Sequence, residues 1–107
     1  MKTLFVCNQG KYRSKTAAEL WRSSHDDETD STGIYSEDNI KEKIEWADLI
    51  VVMENHQRIW ISEHYPEIYL KKKFLCLDIP DQYFYMEPGL VKLLKEKFES
   101  AALNIQN

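Results

Sequence analysis

"LFVCNQGKYRSKTAAEL", residues 4 to 20, begins as an apolar run, ends that run on Cys7, crosses a short polar loop through Gly10, and continues in helical spacing from the pair Arg13-Ser14. A four-residue apolar run followed by a 3.6-residue pattern reads as strand, loop and helix. The strand is expected over Leu4 to Cys7 and the helix from about Ser14 to His25. A thiol then stands at the mouth of a strand, six residues before a guanidinium at a helix start.

Outward from this unit the same alternation continues. A weak extended piece lies near Ser31 to Tyr35, after the polar stretch "SSHDDETDS" at 23 to 31, which reads as a helix end and a loop. Ser36 or Asp38 is placed to cap a helix carrying Ile40, Ile44 and Ala47 on one face. "DLIVVM" at 48 to 53 reads as a buried strand, Asn55 to Tyr65 as a helix, and "KFLCLDI" at 73 to 79 as a fourth strand. Pro88 opens a last helix in which Val91, Leu94, Phe98, Ala101 and Ile105 recur at three- and four-residue spacing. Four strands alternating with four helices predict an α/β fold, a three-layer sandwich around a four-stranded parallel sheet. Ligands of such sheets collect beyond the carboxyl ends of the strands, where Cys7 and the loop Asp78 to Asp81 both fall.

Composition sets the outer bounds. The 107 residues are 43% hydrophobic with three glycines and three prolines, which fits one domain spanning 1–107. A net charge of −4 gives no basic field to hold a nucleic-acid backbone, and Lys71 to Lys73 read as solvated surface. "MKTLFVC" is too short in apolar residues for a signal peptide, and "LIVVM" at 49 to 53 is far below the ~20 residues that span a bilayer. The expectation is a cytoplasmic protein without a membrane partner, of open oligomeric state. Its two cysteines, Cys7 and Cys76, are expected to be reduced; no Cys/His spacing suggests a metal site, and no cofactor is implied.

The loop carries chemistry of its own. A chain passing from strand to helix can turn successive N–H groups inward, and the helix end adds partial positive charge, so residues Asn8, Gln9, Gly10, Lys11, Tyr12, Arg13 and Ser14 form a cradle for a phosphate. A free cysteine is only a few per cent thiolate at neutral pH, whereas these N–H groups, the helix end and Arg13 all favour ionised sulfur. Arg13 offers a planar fork to two phosphoryl oxygens, Ser14 a hydroxyl to the sulfur, and Gly10 a residue free to take positive φ. "LFVC" alone would read as a core strand ending in an inert thiol. Cys, five residues, Arg, then Ser or Thr arises by chance in only on the order of one in a hundred chains with two cysteines. The spacing therefore favours a nucleophile.

These residues carry a resemblance. "VCNQGKYRSKTAAEL" resembles the phosphate-binding loop of the low-molecular-weight protein tyrosine phosphatases, and the chain as a whole resembles a compact bacterial branch of them. "WADLIVVMENH" at 46 to 56 and "LDIPDQYFYMEPGLV" at 77 to 91 are similar to the family's third strand, acidic loop and last helix. The resemblance implies hydrolysis of aryl phosphomonoesters through a phosphocysteine, with phosphotyrosine protein or a small aryl phosphate as substrate. Departures are plain: Gln9-Gly10 stands where the family has Gly-Asn, Tyr12 replaces the second loop cysteine, and Lys15 replaces proline. Without that second cysteine, the protective disulfide of larger relatives is not available to Cys7.

On the same resemblance Asp81, followed by Gln82-Tyr83, matches the acid that protonates the departing phenolate. Read alone, Asp78 and Asp81 would be turn residues around Pro80. Tyr83, Phe84 and Tyr85 are placed to line a slot for an aromatic ring, with Tyr12 as another wall, so Tyr12 and Tyr83 are the expected substrate contacts. His25, His56 and His64 have no triad or metal spacing and are not expected to act, and Cys76 in "FLCL" reads as a buried strand residue. Three rival functions use the same loop: an arsenate reductase, which needs resolving thiols beyond Cys76; a phosphocysteine carrier; and a non-catalytic phosphate-binding module.

Overall fold

Thr3, Leu4, Phe5 and Val6 have no exposed surface at all, and this run lies at the centre of the computed structural model, which describes residues 1–36 and 39–106, with side chains as far as Ala101. The elements are β1 (Lys2–Cys7), α1 (Arg13–Ser24), β2 (Glu28–Gly33), α2 (Ile40–Trp46), β3 (Leu49–Val52), α3 (Asn55–His64), α4 (Pro66–Lys71), β4 (Lys73–Cys76) and α5 (Pro88–Gln106). All strand pairs are parallel, in the order β2-β1-β3-β4. A strand buried on both faces carries apolar residues toward both, which is why Leu4 to Cys7 of β1 and the whole of β3 read as unbroken apolar runs.

Side chains alternate across the sheet and build two cores. Phe5 and Cys7 of β1, with Leu49 and Val51 of β3, face Ala17 and Trp21 of α1 and Leu90, Leu94 and Phe98 of α5. Leu4 and Val6, with Ile50 and Val52, face Ile40 and Ile44 of α2 and Ile61 of α3. The expected three-layer sandwich is thus the observed one. On α5 the buried stripe is Leu90, Leu94, Phe98 and Ala101, with Val91 at its margin; the side chain of Ile105 lies outside the described residues.

The structure corrects several boundaries. β2 begins at Glu28 rather than Ser31, while Ile34 and Tyr35 form the turn after it. It is an edge strand, paired on one side only, so its polar residues carry no strand-like apolar pattern. β4 stops at Cys76, three residues before Ile79. A fifth helix, α4, starts on Pro66, a favoured first helical position. Asn39 caps α2, its side chain accepting from the Glu42 N–H at 3.4 Å; Asp38 lies outside the described residues. Lys72 is not idle surface: its Nζ donates to the carbonyls of Glu45 and Ala47, both at 2.7 Å, and so closes the C-terminus of α2.

Candidate active site

The order β2-β1-β3-β4 reverses direction between β1 and β3, which opens a crevice beyond their carboxyl ends. Cys7 closes β1 there, 3% exposed. The chain then turns back through Gly10, at φ +74°, in the left-handed region. A Cβ on Gly10 would also stand 2.8 Å from the Gly33 nitrogen. Gly33 is the register partner of Cys7 in β2, and a Cβ on it would meet Gln9 C and Gly10 N at 2.4 Å. The loop folds flat against the end of β2 because neither residue has a side chain. It is tied down by Ile34 N–H to the Cys7 carbonyl at 3.0 Å and Tyr35 N–H to the Asn8 carbonyl at 2.9 Å. Sequence reading missed Gly33, since its importance depends on a strand pairing that periodicity does not disclose.

The sulfur sits among donors. The Gly10 N–H points at Cys7 Sγ at 3.1 Å, and Ser14 Oγ lies 3.1 Å from the same sulfur. Ser14 Oγ is also 3.2 Å from the Thr32 carbonyl. One hydroxyl proton has two acceptors: it can serve Thr32 while the thiol donates to Ser14, and turn to the sulfur once the thiol has ionised. α1 begins at Arg13 with no side-chain cap from Tyr12 and no acid in its first turn, so no side chain of α1 itself offsets its positive end.

Arg13 is 2% exposed, and a buried guanidinium has to be paired. Its Nη1 donates to the Glu54 carboxylate and, at 2.8 Å, to the Ile79 carbonyl. Its Nη2 lies 3.6 Å from Asp81 Oδ1. Nη1 is thus committed to acceptors of the protein, while Nη2 faces the Asp81 loop. Glu54 was absent from the residues read from sequence. The available signal was an acid directly after a buried strand that ends beside β1. Asp78 is not brought to Arg13: it is exposed, sits at φ +55°, and its Oδ1 accepts from Cys76 Sγ at 3.4 Å. Cys76 is half-buried rather than buried, and burial pushes its thiol above the ordinary range.

Around the mouth, a cleft of about 250 Å³ is lined by Tyr12, Asp81, Gln82, Tyr83 and Phe84. Tyr12 and Phe84 meet edge to face, with ring centroids 5.6 Å apart, while Tyr83 also packs against the α1/α5 core. Lys15 Nζ lies 5.5 Å over the Tyr85 ring. Gln9 and Lys11 are exposed on the outer loop. The Met86 N–H donates to the buried Thr16 Oγ1 at 2.9 Å, so α1 anchors the loop that carries Asp81. His56, not expected to take part, has Nε2 2.6 Å from Asn8 Oδ1. His25 and His64 instead stack on Trp21 and Trp60.

No protein-family model matches the chain, and no curated protein sequence does. Solved structures do match. Wzb of Vibrio vulnificus, in complex with benzylphosphonate, matches at a TM-score of 0.73 and 23% identity, over 96% of this chain and 97% of that one. A protein tyrosine phosphatase from Entamoeba histolytica matches at 0.72 and 22%, over 99% and 97%. The YwlE arginine phosphatase from Geobacillus stearothermophilus matches at 0.65 and 20%, over 96% of each chain. The chain accordingly has the α/β fold of the low-molecular-weight tyrosine phosphatases.

Proposed function

We propose that the protein is a cysteine-dependent phosphatase of the low-molecular-weight tyrosine phosphatase family, acting on protein phosphotyrosine or a small aryl phosphate. The observation that carries this reading is Cys7 Sγ held between the Gly10 N–H and Ser14 Oγ, with Arg13 at the end of that loop and Asp81, from the loop before α5, facing Arg13 at 3.6 Å. Sulfur attacks phosphorus as the P–O bond to the phenol breaks, and the phenolate takes a proton from Asp81. Water then attacks the phosphocysteine, Asp81 takes its proton, and the thiolate leaves toward the Gly10 and Ser14 donors. Loop N–H groups and Arg13 compensate the charge on the equatorial oxygens throughout.

Aromatic walls at Tyr12, Tyr83 and Phe84 suit a phenyl leaving group. Phosphoarginine is the competing substrate, since a neighbouring fold is an arginine phosphatase. Its leaving group is a guanidinium, and two exposed lysines, Lys11 and Lys15, stand one and three residues from Tyr12 along the chain. Like charge there disfavours it. Steady-state hydrolysis of para-nitrophenyl phosphate with chelator present, then of phosphotyrosine and phosphoarginine peptides, tests the reading. Turnover of the aryl esters with phosphoarginine far slower is expected. Binding of vanadate without turnover would leave only a binding module, and a phosphocysteine that persists would make the chain a carrier.

A further inference from the structure

Asn8 follows the nucleophile, yet its side chain is engaged elsewhere. Its Oδ1 lies 2.9 Å from Gln57 Nε2 and 2.6 Å from His56 Nε2, and its Nδ2 lies 3.5 Å from Asp81 Oδ2. Which end of each amide faces which neighbour follows from one fixed donor. The backbone N–H of Glu54 can only donate, and it points at Gln57 Oε1 at 2.8 Å. Gln57, with no exposed surface, must then present its NH₂ to Asn8. Asn8 must accept with Oδ1 and donate with Nδ2. His56 Nε2, facing the same oxygen, must carry a proton.

We propose that Asn8 is the positioning residue for the acid Asp81, holding Oδ2 so that Oδ1 is the oxygen that transfers the proton. The polarity set by the first turn of α3 leaves Asp81 Oδ2 as an acceptor in every protonation state. A donor at Oδ2 favours the carbonyl form there, the better acceptor of a carboxylic acid, and so favours the acid proton on Oδ1, the oxygen that faces Arg13 Nη2 at 3.6 Å. In the first half-reaction Oδ1 gives that proton to the phenolate oxygen, and in the second it takes one from water. A contact of 3.5 Å is at the outer limit of a hydrogen bond, and contacts of this kind tighten as substrate seats. Glu54 and Gln57 also share a capping box at the start of α3, each accepting from the other's backbone N–H. One helical turn thus orients Arg13 through Glu54 and Asp81 through Gln57 and Asn8.

This role rests on the phosphatase reading above, and Asn8→Asp separates the two. That variant keeps an oxygen for His56 and Gln57 but removes the donor to Asp81. Turnover of phosphotyrosine should fall about 10- to 100-fold, the scale of a misplaced catalytic group. The loss should shrink for aryl phosphates with good leaving groups and disappear in an Asp81→Asn background. Vanadate binding should remain, showing an intact loop. Gln57→Glu, which offers oxygens to both neighbours and reverses the polarity at Asn8, should produce the same leaving-group dependence. A loss uniform across leaving groups, or undiminished with Asp81→Asn, would overturn the positioning role while the phosphatase reading stands. A wild-type protein that binds vanadate but hydrolyses no aryl phosphate would overturn both.

Discussion

Asp78 and Asp81 are three residues apart in "DIPD", and their surroundings assign them different work. Asp81 faces Arg13 Nη2 at 3.6 Å, whereas the side chain of Asp78 accepts from Cys76. Asp81→Asn should lower turnover of phosphotyrosine by roughly 10²- to 10⁴-fold, the worth of a positioned acid. The loss should be small where the phenolate departs readily unprotonated. Asp78→Asn keeps a residue type that tolerates φ +55° and should show no such slope. Rates of both variants against a series of aryl phosphates decide the matter, and a steep slope for the Asp78 variant would reverse the assignment. The spacing of Cys7, Arg13 and Ser14 was legible because all three lie on one local turn. Glu54, His56 and Gln57 were not, since they reach the loop from 41 to 49 residues away along the chain.

The end of β2 meets the site through backbone rather than side chains, and this is where sequence reading loses sight of it. The loop lies against β2 at two glycines, of which only Gly10 announces itself in a motif. Gly33→Ala would press a methyl to 2.4 Å from Gln9 C and Gly10 N. Backbone cannot yield as a flexible side-chain tip would, so the loop must lift and its N–H groups lose their common focus. Vanadate affinity and turnover should fall together by at least 10-fold, with α1 and the sheet retained by circular dichroism. Unchanged affinity would mean that the end of β2 gives way instead. The central strands β1 and β3 were readable because burial on both faces leaves an unbroken apolar run. The edge strand β2 and the short helix α4 were not, since half-exposed segments owe their state to neighbours rather than to pattern.

Across the whole molecule the two thiols belong to different layers. Cys7 packs in the core shared by α1 and α5, whereas Cys76 packs against the opposite core with α2 and α3. Val6 pairs with Val52 and Val52 with Cys76, so β3 separates the two cysteine strands. Two strand spacings are about 10 Å, beyond the ~7 Å between Cα atoms that a disulfide tolerates. Even the shortest rearrangement would have to carry a side chain across a central strand of the sheet. This arrangement argues against an arsenate reductase that would relay electrons from Cys7 to Cys76. It also leaves oxidised Cys7 without an internal thiol to condense with, since Cys76 is its sole fellow cysteine. Burial raises the Cys76 thiol, which keeps it protonated and a poor nucleophile at neutral pH. If the chain is the proposed phosphatase, peroxide should therefore abolish its turnover at Cys7 by driving the thiol to sulfinic acid, and bound phosphate should protect by covering the sulfur. Mass spectrometry after peroxide treatment should find sulfinate on Cys7, with thiol restoring little activity once that stage is reached. A Cys7–Cys76 disulfide fully reversed by thiol would require the sheet to open between β1 and β4, and would return the reductase reading to contention.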